Sequence, residues 1–511
     1  MANAARRDSH MQWRPAGIAC ACALACAATV HAETRPAYSG KIEGALLGAP
    51  ATFDPAAAQS HAELTIAELV FDTLYTIGLG GDAEPHLALG PPVLDATKLN
   101  ARIAIRKGVK FHDGTTLTPA DVAGSLIRAR NGPGRWALAP IASVKPVADA
   151  IEIVLTSPID VATLLALAPA AITRPGRTSG ARPVGSGPFE IEAHDPGANG
   201  KLVLRAFEHH FAGRPYLDRL TLRWHDKPDT EATRFQTDQS QLSARGVAAF
   251  TSGQPKFESS FVVGPRSVLV FVGFGKNHAA ITGDVGFRRA LDLALDRGAL
   301  AASVNRGEQP VPAGEPVPFD SGGGQPSVVV NNGDLAQAKA ALVGAGSRVA
   351  ALAPGNLPQL MLEILYEETR PDDREIALRV EHALDKLGVN ASLRGVSAAE
   401  LRDRAARGAT DLWIGQLVAP VKAKTSWPWW SAGFAIAGSD WASTKLAAGE
   451  LATDTGHAAA RSRFAAAQPI VPIMFRGIKM WHRGDLRGLR FDATGRPCFA
   501  DLFVFGHPIK P

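Results

Sequence analysis

Hydrophobic and polar positions change their spacing along the chain in a way that predicts alternating strands and helices. Residues 100–105 alternate small or apolar side chains with polar ones, as a half-buried strand does. The basic segment that follows closes with Asp113-Gly114, a pair that readily forms a tight turn. Thr118 is the predicted N-cap of the next helix, with Asp121 in its first turn. This stretch therefore predicts a strand, a turn and a capped helix.

The same alternation continues on both sides of that stretch. An amphipathic helix is predicted at 63–74, a strand at 151–155 and a buried apolar helix at 161–167. Beyond residue 266, strands and helices follow one another regularly, which predicts a second lobe with a mostly parallel sheet. The strands predicted there are 267–273, 359–366 and 391–396, and the helices are 285–297, 334–346, 372–387 and 398–407.

Length and composition indicate a globular chain of more than one lobe. The 511 residues are too many for a single ordinary core, so two or three lobes are expected. Hydrophobic residues make up 46% and charged residues 20%, which excludes a disordered chain. The formal net charge of +5 is spread out and forms no Lys/Arg-rich block, so we expect no nucleic-acid partner.

The N-terminus has the pattern of an export signal. Arg6, Arg7 and Arg14 precede an apolar run at 18–30, which is too short to span a bilayer. Val30-His31-Ala32 fits a small-residue cleavage site, so we interpret residues 1–32 as a signal peptide. We therefore expect the mature chain to be exported.

The cysteines support the same picture. Cys20, Cys22 and Cys26 lie inside the predicted signal peptide, and only Cys498 follows it, so no internal disulfide is expected. Cys26 follows Ala-Leu-Ala, which resembles a lipobox with its leucine one place off. Cleavage by an ordinary signal peptidase is favoured, and a lipid anchor at Cys26 is the alternative.

Three segments resemble one protein family. Residues 105–122 read IRKGVKFHDGTTLTPADV, residues 182–189 read RPVGSGPF, and residues 207–220 read FEHHFAGRPYLDRL. These resemble signatures of the family 5 extracellular solute-binding proteins, the periplasmic receptors of peptide, nickel and related ABC importers. The resemblance implies an α/β, two-lobed periplasmic-binding-protein fold of type II. The implied fold belongs to the large class with an extra small subdomain, and its ligand cleft lies between the lobes.

The resemblance also implies a division into domains. Lobe I would combine 33–79, 181–265 and 476–511, with the small subdomain at 80–180. Lobe II would be 266–475. The lobes would close about strands near 262–275 and 468–476.

Several cleft residues follow from the same comparison. Tyr75 ends a segment that matches the family, and Phe274 and Asn277 end the first crossing between lobes. The turn Gly185-Ser186-Gly187 allows two interpretations. It either presents backbone N–H groups to a ligand or reverses the chain into the next strand, and the sequence leaves both open.

The family pattern weakens near residue 417. Peptide-binding members carry a tryptophan and an acid here, where this chain has Leu417 and then Ala419-Pro420, with Lys422 and Lys424 beyond. Recognition of a peptide ammonium group is therefore in doubt. We expect the nearby indoles to line the cleft, with core packing and a protein interface as alternatives. These indoles, with the lysines, favour a flat or sugar-like anionic solute, and they are Trp413, Trp427, Trp429 and Trp430.

The sequence gives little support for a metal site or a catalytic site. Adjacent His209 and His210 would point in opposite directions on an extended chain, so a surface loop is favoured over a metal site. Ser186 does not lie in a nucleophile elbow, and His112-Asp113 lies in a turn without a nucleophile. We expect no enzyme activity, no metal and no cofactor.

The resemblance therefore implies a receptor for a small solute or short peptide in the periplasm, and we expect it to be a monomer. It would deliver its solute to the transmembrane subunits of an ABC permease. The alternatives are a protein of the same fold detached from transport, such as a sensor or scaffold, or a receptor for a metal chelate or saccharide.

Overall fold

The structure is a computed structural model. It describes residues 38–505 except 47, 59, 179, 181, 226, 245–257, 306–309, 316–329, 331–332, 371 and 419–453. The predicted signal peptide, its three cysteines and residues Lys422 to Trp430 lie outside the described residues. Within the described part, no helix is both long and apolar enough to span a membrane.

Strands and helices alternate through most of the described chain, as the sequence pattern predicts. The strands up to residue 244 are β1 (Lys41–Ala45), β2 (Tyr75–Ile77), β3 (Ala83–Pro85), β4 (Val93–Leu94), β5 (Asn100–Ala104), β6 (Ile141–Val147), β7 (Ala150–Leu155), β8 (Phe189–Asp195), β9 (Lys201–Ala206), β10 (Arg219–Arg223) and β11 (Leu242–Ser243). The later strands are β12 (Ser259–Val263), β13 (Val268–Phe274), β14 (Val311–Pro312), β15 (Met361–Glu367), β16 (Asn390–Val396), β17 (Leu412–Val418), β18 (Ile470–Arg476), β19 (Lys479–Arg483), β20 (Leu486–Arg487) and β21 (Phe503–Val504).

The helices are short, and many begin with a side-chain cap. They are α1 (His61–Val70), α2 (Pro119–Asn131), α3 (Arg135–Leu138), α4 (Val161–Leu164), α5 (Pro228–Gln236), α6 (Ala279–Thr282), α7 (Val285–Ala294), α8 (Arg297–Ser303), α9 (Leu335–Gly346), α10 (Asp373–Lys386), α11 (Ala398–Arg407) and α12 (Asp454–Ala467). Helix α2 confirms the predicted cap, because the Asp121 N–H donates to the Thr118 hydroxyl and the Thr118 N–H donates to the Asp121 carboxylate.

Lobe I is built on a seven-stranded sheet in the order β12-β19-β11-β1-β10-β9-β8. A separate four-stranded antiparallel sheet, β4-β5-β7-β6, packs against α2 and forms the small subdomain. One apolar cluster joins this subdomain to lobe I and continues onto one face of the lobe II sheet. The small subdomain therefore shares its core with lobe I, while the exact domain boundaries stay a prediction.

Lobe II contains a six-stranded sheet in the order β14-β18-β13-β17-β15-β16. The prediction of a mostly parallel sheet is wrong. Strand β15 pairs in parallel with β16 and β17, but β13 is antiparallel to both β17 and β18, and β14 is antiparallel to β18. The reason is connectivity, because β13 enters lobe II from lobe I and its neighbour β18 leads back out.

The two crossings between the lobes lie side by side. Strand β12 leads into β13 through Gly264, and β18 leads into β19 through Gly477. The Gly264 N–H donates to the Ile478 carbonyl at 2.8 Å, and a Cβ on Gly477 would lie 2.4 Å from the Gly264 carbonyl oxygen. These contacts place two glycines together where the paired strands pass from one sheet to the other.

Two predicted helices are shorter in the structure than the sequence suggested. The apolar segment predicted as a helix at 161–167 is helical only over Val161–Leu164, followed by a 3-10 turn at Ala168–Ala170. Pro169 in that turn has no N–H to continue an α-helix. Helix α1 ends at Val70 rather than at residue 74, and the chain is extended from Phe71 onward.

The early end of α1 follows from its contact with the Gly185-Ser186-Gly187 loop. The Gly187 N–H donates to the Val70 carbonyl at 3.0 Å. A Cβ on Gly185 would lie 1.9 Å from the Val70 carbonyl oxygen, and one on Gly187 would lie 2.6 Å from the Val70 carbonyl carbon. Glycine is required at both positions because the two backbones approach more closely than any side chain would allow.

Replacing Gly185 by alanine is expected to destabilise the protein by about 2–4 kcal/mol, because the new methyl group must displace backbone rather than a flexible side chain. Urea unfolding of the two proteins measures the difference in the free energy of unfolding.

Gly124→Ala is the matched control. Gly124 lies inside α2, and a Cβ there would meet nothing within 4 Å. This variant should gain about 0.5–1 kcal/mol from helix propensity. A Gly185→Ala protein within about 0.5 kcal/mol of the parent would contradict the packing argument.

Candidate functional site

A chamber of about 100 Å³ lies where lobe I meets lobe II. Lobe I contributes Ser60, the N-cap of α1. Lobe II contributes the last residue of β15, the loop after it, one face of α11 and two residues of β17. The lining residues are Ser60, Glu367, Arg370, Ala398, Leu401, Arg402, Ala405, Ala406, Trp413 and Gln416.

Buried acidic side chains surround Arg370. Its Nε lies 2.6 Å from Glu367 Oε2, and its Nη1 lies 3.1 Å from Asp373 Oδ2. Asp373 also accepts a hydrogen bond from the Gln416 side-chain amide at 2.9 Å. Burial alone would lower the pKa of Arg370, but Glu367, Asp373 and Glu63 raise it. The guanidinium is therefore a fixed positive charge at the wall of the chamber.

A second guanidinium connects the two lobes. Arg402 on α11 forms an ion pair with Glu63 on α1, and its Nη1 donates to the Ala57 carbonyl at 3.4 Å. Glu63 also completes the capping box of α1 with Ser60. The Ala49 N–H donates to the Thr369 hydroxyl at 3.3 Å, which adds another contact between the lobes. The described structure is therefore one in which the lobes are held together across the chamber.

The indole of Trp413 forms part of the chamber wall. Its side chain packs edge-on against Phe271, with ring centroids 5.2 Å apart. A Cβ on Gly273 or Gly415 would lie within 3.0 Å of the indole ring, so two glycines make room for it. Trp413 is only 4% exposed, and its Nε1 has no hydrogen-bond acceptor among the described residues. A buried N–H without a partner among the described residues is costly.

The other candidate residues with described side chains lie away from the chamber. Tyr75 is buried in the lobe I cluster, and its hydroxyl donates to the Gly90 carbonyl at 2.9 Å. Phe274 lies in the lobe II core with the Arg288 guanidinium over its ring. Asn277 is exposed, and its backbone N–H donates to the Thr410 carbonyl.

The polar groups of the Gly185-Ser186-Gly187 loop are engaged within lobe I. The Ser186 hydroxyl donates to Asp72 Oδ2 at 2.8 Å. His112 accepts from the Gly185 N–H through Nδ1, and its Nε2 donates to the Gly187 carbonyl at 3.0 Å. Burial lowers the pKa of His112. These contacts favour the chain-reversal interpretation of the loop, and they occupy both ring nitrogens of His112.

The structure brings Trp413 together with charged residues that the sequence did not single out. Trp427, Trp429 and Trp430 lie outside the described residues, so their role stays a prediction. Arg370 follows the carboxyl end of a strand that pairs in parallel with both neighbours, a common place for ligand residues, and that signal could have found it. Arg402 is one of several arginines on α11, and nothing in the sequence distinguishes it.

Comparison with known proteins identifies the family. The profile of the bacterial extracellular solute-binding proteins, family 5 Middle, matches residues 82–434, more than half of the chain. The chain therefore belongs to the family 5 bacterial extracellular solute-binding proteins, as its motifs suggested.

Individual relatives are distant in sequence and similar in fold. The oligopeptide-binding protein AppA of Bacillus subtilis (strain 168) is 26% identical over 295 residues, which are 54% of this chain and 53% of AppA. The chain spans only 29% to 53% of the length of the first curated relatives it matches.

Solved structures confirm the two-lobed fold. DppA from Helicobacter pylori, in complex with the peptide STSA, has a TM-score of 0.78 and 16% identity over 92% of this chain and 99% of that one. NikA from Staphylococcus aureus, in complex with Ni(L-His)2, has a TM-score of 0.74 and 17% identity over 91% of this chain and all of that one.

The buried carboxyl of Asp373 predicts a specific dependence of stability on pH. Burial raises its pKa from 3.8 to about 7, against the opposing effect of Arg370. The folded protein therefore holds a proton that the unfolded chain has released between about pH 4 and pH 7. The contribution of Asp373 to the free energy of unfolding is therefore fully present below about pH 4 and is lost as the pH rises through 7.

Asp373→Asn removes this titration, so its melting temperature relative to the parent should rise by a few degrees between pH 5 and pH 8. Glu375→Gln, at an acid on the same helix that is 39% exposed, is the control and should show no such trend. A difference between Asp373→Asn and the parent that is constant over this pH range would contradict the assignment.

Proposed function

We propose that the chain is the solute-binding component of an ABC import system. It captures a peptide or peptide-like solute between its lobes in the periplasm and delivers it to a membrane permease. The observation that supports this most directly is the chamber between the lobes. Trp413 lies in its wall with no acceptor for Nε1 among the described residues, and two guanidinium groups lie in the same wall. Family membership supports export and solute binding in general.

The charges of the chamber indicate the chemistry of the solute. Arg370 and Arg402 offer planar donors suited to a carboxylate, and the indole N–H offers one more. Glu367 also lines the chamber, and its carboxylate can accept from a solute that carries donors. A short peptide with a free carboxyl terminus satisfies these groups, as does an amino-acid-based chelate.

Binding and release require no covalent step. The His112-Asp113 pair is not a catalytic dyad in this proposal, because both ring nitrogens of His112 hold the loop at 185–187 and Asp113 pairs with Arg174. We propose that the protein works as a monomeric receptor without catalytic activity. Residues 1–32 would direct its export and be removed.

Native mass spectrometry of protein purified gently from the periplasm tests the function. We expect a co-purifying mass that is released on denaturation and yields amino acids on hydrolysis. A metal isotope pattern or hexose units would identify a chelate or a saccharide instead. A protein that carries no solute and binds none of a panel of short peptides would contradict the receptor proposal and favour a role detached from transport.

The indole N–H gives a quantitative prediction. Trp413→Phe keeps the ring and removes the donor, so the affinity for the identified solute should fall about 3- to 10-fold, the contribution of one hydrogen bond. Isothermal titration calorimetry measures this change.

Trp481→Phe is a closely matched control. Trp481 is also buried, at 8% exposure, and its Nε1 also lacks an acceptor among the described residues, but it lies in the lobe I sheet on β19. Its substitution should leave the affinity unchanged. If the two substitutions lowered the affinity for the solute equally, the chamber would not be the binding site.

A further inference from the structure

Three potential metal ligands from distant parts of the sequence meet inside lobe I. Asp72 follows the end of α1, His86 follows β3, and His210 lies in the loop between β9 and β10. One ligand atom from each lies within 4.8 Å of the other two. His86 Nε2 is 2.9 Å from Asp72 Oδ1, and His210 Nε2 is 3.5 Å from the same oxygen.

His210 is the decisive member of this cluster. Its side chain is only 7% exposed, and its Nε2 has no hydrogen-bond partner in the part of the chain that the structure describes. Its Nδ1 lies 3.1 Å from the Gly213 carbonyl oxygen, so Nδ1 donates there, and in the neutral ring Nε2 is the nitrogen that carries the lone pair a metal ion needs. The prediction of a surface loop is right for the exposed His209 and wrong for the side chain of His210.

Hydrogen bonds with residues outside the cluster orient its ligand atoms, as metal sites require. The carbonyl of Gly213 fixes the tautomer and direction of the His210 ring. The Ser186 hydroxyl donates to Oδ2 of Asp72 at 2.8 Å, which leaves Oδ1 for the two imidazoles.

The distances also suit a bound cation. Ligand atoms at about 2.1 Å from a tetrahedral metal ion are roughly 3.4 Å from one another. The 3.5 Å between His210 Nε2 and Asp72 Oδ1 is close to that separation and long for a hydrogen bond. The 2.9 Å between His86 and Asp72 would have to open by about 0.5 Å, which a partly exposed histidine can accommodate.

We propose that Asp72, His86 and His210 bind one divalent transition-metal ion of the zinc and nickel class. Two imidazoles and one carboxylate favour these ions over Mg²⁺ and Ca²⁺, which prefer oxygen ligands. The three residues line a cavity of about 510 Å³, which gives the ion a path and leaves space for a water as the fourth ligand.

This site is separate from the chamber between the lobes and does not depend on the proposed function. Helix α1 has ten residues and is therefore about 15 Å long. Glu63, in its first turn, meets Arg402 of lobe II, whereas Asp72 lies just past its other end. A metal ion here would link three segments through its ligands: the end of α1, the segment that leads into the small subdomain, and the loop at 207–218.

Metal binding is tested on the exported chain, prepared without a histidine tag and stripped with EDTA. Zn²⁺ is titrated in competition with a chromophoric chelator, and bound metal is counted by inductively coupled plasma mass spectrometry. We expect one Zn²⁺ per chain, no competition from Mg²⁺ or Ca²⁺, and a rise in melting temperature with Zn²⁺. Absence of Zn²⁺ binding would overturn the proposal.

Variants locate the ion. His210→Gln and His86→Gln should each weaken Zn²⁺ binding by at least about 100-fold, because a ligand is lost rather than reoriented. His209→Gln, at the exposed neighbour, should bind like the parent. Equal Zn²⁺ binding by parent and His210→Gln would place the ion elsewhere and overturn the proposal.

A spectroscopic measurement covers the case in which a variant fails to fold. Co²⁺ bound to the parent protein at two imidazoles and a carboxylate should show the intense visible bands of a four-coordinate ion. The weak spectrum of hexa-aqua Co²⁺ at protein excess would contradict the site without reference to any variant.

Discussion

The contact between the Val70 carbonyl and the Gly187 N–H determines how the rest of lobe I is arranged. Because Gly185 and Gly187 carry no Cβ, the loop lies directly against the end of α1 and stops the helix there. The same loop orients Asp72 through Ser186 and holds both nitrogens of His112, which belongs to the turn before α2. One close backbone approach thus connects helix α1, the small subdomain and strand β8. It explains why this glycine pair is needed without any ligand.

Helix α1 then connects the two candidate sites. Its N-cap Ser60 lines the chamber, and Glu63 in its first turn reaches Arg402 across the lobe boundary. Charges that would be costly to bury alone are compensated here by opposite charges, as Arg370 is by Glu367 and Asp373. Such compensation permits a polar chamber beside the apolar cluster that runs from lobe I onto the lobe II sheet. A solute that enters the chamber must replace these ion pairs or add to them. This requirement makes the chamber selective among solutes.

The proposed metal ligands are arranged differently from the residues of the chamber. The chamber is formed by residues of both lobes, so its shape depends on how the lobes meet. Asp72, His86 and His210 belong to lobe I and the segment leading into the small subdomain, which share one apolar cluster. Their geometry is therefore set by packing within a single core and does not require the lobes to come together. This difference allows metal binding and solute binding to be measured independently.

The sequence by itself determined the features that depend on neighbouring residues. The Thr118 cap, the turn at Asp113-Gly114, most strands and helices of lobe II, and the family were all readable from local pattern and motif. The antiparallel pairing of β13 was not, because it depends on where the chain crosses between the lobes. The shortness of α4 was missed although Pro169, a local signal, follows it. Only the tertiary structure placed Arg370 and Arg402 beside Trp413, and His210 beside Asp72. These groups are far apart in sequence, and no local pattern encodes distances that packing of separate segments sets.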